Sequence, residues 1–102
     1  MKFINDLDAF NQEIANGISV VDFTATWCGP CKQIAPVFEN LAQIFTQAKF
    51  FKVDVDEGAK IAEKHNIDSM PTFKIFINGE EVGEFVGADE EGLTELVTNH
   101  CS

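Results

Sequence analysis

Apolar and polar positions along the chain fall into two rhythms, and their order predicts an alternation of strands and helices. A short strand is expected at residues 2–4, then a helix over 7–16, with Asn5 or Asp6 as its N-cap and Gly17 as its stop. Residues 18–25 are almost all apolar, the pattern of a central strand covered on both faces. From the cysteines at 28 and 31 to about residue 45, Ile34, Val37, Phe38, Leu41 and Phe45 recur at helical spacing, and Pro36 inside this run predicts a kink. A third strand is expected over 49–54, a short helix over 59–65, and a hairpin of strands 72–77 and 81–86 joined through Asn78-Gly79-Glu80. Asp89 then caps a last helix. The sum is an α/β chain in the order βαβαβαββα, with a central mixed five-stranded sheet flanked by four helices.

At 102 residues and 45% hydrophobic content the chain can bury one core, so residues 1–102 read as a single domain. No spacer, repeat or low-complexity run interrupts it. The net charge is −10 and all seven basic residues are lysines, a poor basis for nucleic-acid binding. No apolar stretch is long enough for a bilayer, so no membrane partner is expected. The start, Met1-Lys2-Phe3-Ile4-Asn5-Asp6, turns acidic before a signal region could form, which makes the cytoplasm the expected location. The ten phenylalanines are core filling.

The chemistry concentrates in Trp27-Cys28-Gly29-Pro30-Cys31-Lys32, where the central strand runs into a helix. Residues at i and i+3 of a first turn share a face, so Cys28 and Cys31 can form and break a disulfide without refolding. Cys28 stands where the helix N–H groups lack partners and the dipole is positive, which favours its thiolate, the attacking species. Cys31, deeper in the turn, suits a second attacker. Pro30 fits a first turn, and Gly29 leaves the approach to Cys28 open.

Other residues carry a bland and a functional reading together. Asp22, among Val20, Val21, Phe23 and Ala25, is either a carboxylate reaching solvent at a strand edge or a buried acid whose raised pKa suits a proton acceptor. Lys52 is a solvated strand lysine by default, Pro71 a proline at a strand's start, and Gly79 and Gly87 turn glycines. Trp27, beside the thiol, reads as part of an apolar rim that accepts partners. His65 and His100 are expected at the surface, and Cys101 at a frayed terminus, open to oxidation between chains.

The motif Trp27 to Lys32, with Val21-Asp22-Phe23 before it and Met70-Pro71-Thr72 after it, resembles the thioredoxin family over essentially the whole chain. The resemblance implies the thioredoxin fold and a protein-disulfide reductase that maintains cell redox homeostasis, Cys28 attacking and Cys31 resolving. Gly29 and Pro30 would tune the redox potential, Asp22 would assist deprotonation of Cys31, and Lys52 would pair with Asp22. It implies a cis peptide before Pro71, and a substrate-facing surface of Trp27, Met70, Pro71, Gly87 and Ala88. It further implies that no cofactor is bound, and that NADPH serves indirectly through thioredoxin reductase. Peroxiredoxin and ribonucleotide reductase are examples of the disulfide substrates expected, for a monomer binding no metal. Three other readings remain: a metal module completed by His65, His100 or Cys101, a non-enzymatic thioredoxin-like binding subunit, and an oxidase or isomerase of the same fold. The last is distinguished by the residues between the cysteines, since Gly29-Pro30 resembles reductases.

Overall fold

The computed structural model describes residues 1–101, and three of its helices start where a side chain satisfies a loose backbone N–H. Asp6 accepts the Ala9 N–H at 3.0 Å and opens α1 (Leu7–Ile14). After β1 (Ile18–Thr24), Cys28 caps α2 (Gly29–Ile44), which runs as one helix through Pro36. β2 (Lys49–Asp54) and α3 (Ala59–Lys64) follow. β3 (Thr72–Ile77) and β4 (Glu80–Val86) are joined by Asn78 (φ 51°) and Gly79 (φ 87°), two left-handed residues as a tight hairpin turn demands. Asp89 accepts the Gly92 N–H at 2.8 Å and starts α4 (Glu90–Cys101).

The four strands lie in the order β2-β1-β3-β4, with β1 parallel to β2 and antiparallel to β3, and β4 antiparallel to β3. The expected fifth strand at residues 2–4 is reduced to a single parallel bridge, Phe3 to Lys52, on the outer edge of β2. Its shortness has a local cause. Asn5 Oδ1 accepts the Asp54 N–H at 2.9 Å, and the Asp6 cap follows at once, so the chain turns into α1 before a second pair can form.

Alternation along β1 sorts the core into two layers. Val20 packs with Ile34, Phe38, Leu41, Phe73, Leu93 and Val97, the layer under α2 and α4. Val21 and Phe23 point the other way, with Phe10, Ile14, Phe51, Ile61 and Phe76, the layer under α1 and α3. Phe10 is the hub of that second layer, edge-on to Phe51 at 5.8 Å and to Phe76 at 5.7 Å.

Two terminal or polar residues lie elsewhere than expected. His65 is half-buried, with its ring 5.2 Å from Phe10 and 5.3 Å from Phe76, because α3 lays its last turn over the aromatic layer. Cys101 is only 2% exposed, since α4 extends to it and seats it in the layer under α2. Burial pushes its thiol pKa up, the opposite of a reactive cysteine.

Gly92 marks where α4 meets β4: a methyl group there would stand 2.2 Å from Phe85 Cζ. Gly92→Ala is therefore expected to destabilise the fold by about 1–3 kcal/mol despite the better helix propensity of alanine, measured by urea unfolding. A variant as stable as the parent would mean that Phe85 swings aside freely.

Candidate active site

β1 ends at Thr24, and a short loop brings Trp27 and Cys28 to the start of α2. Cys28 keeps extended backbone (φ −90°, ψ 107°), and its sulfur accepts the Cys31 N–H at 3.2 Å. A side chain in that place satisfies one of the helix's loose donors, and the same bond and dipole favour negative charge on the sulfur once the thiol is free. Cys28 and Cys31 are joined as a disulfide with their Cα atoms 5.3 Å apart, within ordinary disulfide reach. Cys28 is 5% exposed and Cys31 2%, so the pair is nearly closed over, with exposed Trp27, Gly29 and Pro30 around its outer sulfur.

Two further loops reach the same end of the sheet. Met70 packs against the cluster of Ala25, Cys28 and Cys31, and the Met70–Pro71 peptide is cis, as the resemblance implies. Pro71 O accepts the Gly87 N–H at 2.9 Å, which brings Gly87 (φ +117°) and exposed Ala88 beside that loop. The backbone at Gly87 has a φ that a side chain would strain. Trp27 is 64% exposed, and its indole Nε1–H donates to Asp56 Oδ2 at 2.8 Å. Nothing in the sequence singles out Asp56, because Val55-Asp56-Glu57 reads as an ordinary acidic stretch after a strand. The turn that carries it is shaped by Asp54, whose Oδ1 accepts N–H bonds from Asp56 at 2.8 Å and Glu57 at 3.2 Å.

Asp22 is 0% exposed, and neither carboxylate oxygen has a hydrogen-bond partner among the described residues. The pleat turns it toward α2, because it shares a face with Val20 and stands in register between Lys52 and Phe73. Loss of water pushes its pKa from 3.8 to about 7, and the nearby Lys52 charge offsets only part of that rise. A carboxyl poised there exchanges its proton near neutrality.

Lys52 departs from the expected direct pairing. It is the register neighbour of Asp22, yet its Nζ forms an ion pair with Glu39 Oε2 on α2 at 3.6 Å and stands 5.9 Å from the centre of the Phe3 ring. It acts on Asp22 through space only. Between Lys52 and Cys31 lies a cleft of about 170 Å³, bordered also by Thr24 and Ala35 and large enough for water.

The residues that would complete a metal module lie apart from the cysteines. His65 sits in the layer under α1 and α3, His100 bonds through Nδ1 to Leu96 O at 2.8 Å, and Cys101 is buried under α2. Among the described residues no three His, Cys, Asp or Glu side chains gather to hold a metal ion. No helix among them is long and apolar enough to cross a membrane.

A sequence model described as Thioredoxin matches residues 2–99. Thioredoxin 1 of Plasmodium falciparum is 42% identical over 103 residues, covering 100% of this chain and 99% of its own. A solved structure of Plasmodium falciparum thioredoxin superposes with a TM-score of 0.95 at 42% identity, covering 98% of this chain and 99% of that one. A chain from a structural study of thiol resolution in yeast mitochondrial 1-Cys peroxiredoxin via glutathione/thioredoxin systems matches at a TM-score of 0.92 and 34% identity, covering 97% and 94%.

Proposed function

The chain belongs to the thioredoxin family and is a thiol-disulfide oxidoreductase, and from that premise we propose how its residues divide the work of reducing protein disulfides. The observation that carries the proposal is the placement of Cys28 and Cys31 on the first turn of α2, directly over the face of the sheet that holds unpartnered Asp22. Thiolate Cys28 attacks one sulfur of a partner's disulfide. A Cys28–partner mixed disulfide forms, and the partner's other sulfur leaves as a thiolate that takes a proton. Cys31 Sγ, freed of its proton by Asp22 through water, attacks Cys28 Sγ. The Cys28–Cys31 disulfide forms, the mixed disulfide breaks, and the partner leaves as a dithiol. Two electrons have passed from this chain to the partner, and Asp22 returns its proton to solvent.

An extended partner segment would lie against Trp27, the cis Met70–Pro71 strip and Gly87-Ala88, bonding to backbone as an added strand does. Gly29 and Pro30 set the redox potential through the geometry of the turn. The relatives' names favour reduction over the binding-subunit and oxidase or isomerase readings. The chain works as an electron carrier in the cytoplasm, recycled by thioredoxin reductase at the expense of NADPH, with no cofactor of its own. Peroxiredoxins are a fitting partner class, supported by the yeast peroxiredoxin study that contains a similar chain, and ribonucleotide reductase is a second.

The test is NADPH consumption with purified thioredoxin reductase and a protein disulfide. Rapid turnover that depends on this chain is expected. A chain that reduces the disulfide with dithiothreitol as donor but draws nothing from NADPH would replace thioredoxin reductase with another electron source.

A further inference from the structure

We propose that Glu39 is a positioning residue for the proton acceptor Asp22: its carboxylate holds the Lys52 ammonium on the α2 side of the cleft, so that Asp22 stays without a cationic partner. The proposal deepens the role given above to Asp22 and rests on that reading.

Cys31, Ala35 and Glu39 follow one another at i, i+4 and i+8, one stripe along the helix. The stripe faces β2, since Cys31 and Ala35 border the cleft together with Lys52, and Glu39 ends the row in an ion pair with Lys52 Nζ at 3.6 Å. Ala35 is the small residue in the middle. Its lack of bulk leaves the cleft open and leaves Glu39 as the carboxylate nearest the outer end.

Lys52 has Asp22, Asp54 and Glu39 as acidic neighbours on this face and, among the described residues, an ion pair with Glu39 alone. Asp22 is its register partner on the adjacent strand, a wholly buried carboxyl with both oxygens unpaired. A lysine side chain on that strand is long enough and flexible enough to turn to either Asp22 or Glu39. Glu39 is half-exposed and remains hydrated while it binds Lys52, whereas drawing a buried carboxylate into a dry ion pair costs desolvation on both sides. The hydrated partner therefore keeps the ammonium.

Other groups on this face do not take over the role. Asp54 of β2 is occupied by the N–H groups of Asp56 and Glu57. Cys31 is bonded to Cys28, and Lys32 is exposed where it borders the cleft. β3 contributes Phe73, and α4 contributes Leu93, Val97 and Cys101, whose thiol is held protonated by burial. Lys74, the other buried lysine, points to the opposite face of β3 and is held by Glu81 at 2.8 Å and Glu84 at 2.9 Å.

Losing the Glu39 charge releases the ammonium toward Asp22, which stabilises the Asp22 carboxylate and makes it a weaker base.

The test is a carbon-NMR titration of the Asp22 carboxyl in the dithiol form of four full-length proteins: parent, Glu39→Gln, Lys52→Met and the double variant. Glu39 is exposed enough for glutamine to leave the fold intact, which thermal melting verifies. Glu39→Gln is expected to lower the Asp22 pKa by about one unit, and Lys52→Met to raise it. With Lys52 already replaced, Glu39→Gln should shift it by well under half as much. An unchanged titration in Glu39→Gln would overturn the proposal, as would an equal shift with and without Lys52. The readout involves no turnover, so it stands or falls apart from the catalytic role of Asp22, which Asp22→Asn tests below.

Discussion

Cys31→Ser stops the reaction halfway, with Cys28 still bonded to its substrate. Cys28 keeps its place at the N-terminus of α2, where the helix dipole favours the thiolate, so the first attack proceeds. The N–H of residue 31 that its sulfur accepts belongs to the backbone and survives the substitution. A serine hydroxyl at position 31 is far too weak an acid to supply the second nucleophile, and no other cysteine can replace it, because Cys101 is buried in the layer under α2 and α4. We expect a one-to-one covalent complex with a protein disulfide substrate, stable on non-reducing gels and located to Cys28 by mass spectrometry. Turnover should fall by about three orders of magnitude or more. Cys28→Ser should lose turnover to the same extent and give no complex. A complex through Cys31 in that second variant would reverse the roles of the two cysteines.

The second large effect belongs to Asp22 and appears both in stability and in rate. Its carboxyl ionises near pH 3.8 in the unfolded chain and at about 7 in the folded one, so between those values the folded state holds a proton that the unfolded state has released. Stability from this group is therefore present in acid, is lost as pH rises through that window, and levels off above pH 7. The loss amounts to about 4 kcal/mol as an upper figure, from the free-energy equivalent of the pKa difference. His65 has the opposite sign: burial and neighbouring lysines lower its pKa, so protonating it costs stability as pH falls below its ordinary value. Comparing parent with Asp22→Asn in urea at pH 4 and pH 8 cancels the His65 contribution. The parent should lose several kcal/mol relative to the variant over that span. Parallel pH dependences would place the Asp22 carboxylate in water, contrary to its burial. The same substitution should slow attack by Cys31 about 100-fold at neutral pH while leaving the first attack by Cys28 intact, as expected for removal of a proton acceptor.

Much of this was legible in the sequence because the strongest local signals agree with the fold. The largely apolar run around Val20–Phe23 marks a strand covered on both faces, while the choice between a solvent-reaching and a buried Asp22 is made only by the structure, in favour of burial. Asn78-Gly79 marks the hairpin, and Asp6 and Asp89 mark two helix starts. What escaped depends on contacts distant in sequence. Nothing in Asp54-Val55-Asp56 indicates that Trp27 reaches across to Asp56. Nor does the sequence reveal that Lys52, beside Asp22 in register, gives its ion pair to a glutamate on α2. The strand expected at residues 2–4 shrank to one bridge because Asn5 and Asp6 turn the chain away. Cys101 and His65 lie deeper than the sequence suggests for a common reason: position near an end, or polarity, says little when the helix carrying the residue lies flat on a hydrophobic layer.

The most direct measurement of the central claim is a single-turnover experiment with stoichiometry. Fully reduced chain is mixed with one equivalent of a protein disulfide, quenched with an alkylating reagent, and both proteins are mapped by mass spectrometry. We predict one Cys28–Cys31 disulfide formed for each substrate disulfide reduced, with Cys101 recovered as a thiol. Disulfides through Cys101, or substrate left oxidised beside a reduced Cys28 and Cys31, would contradict it.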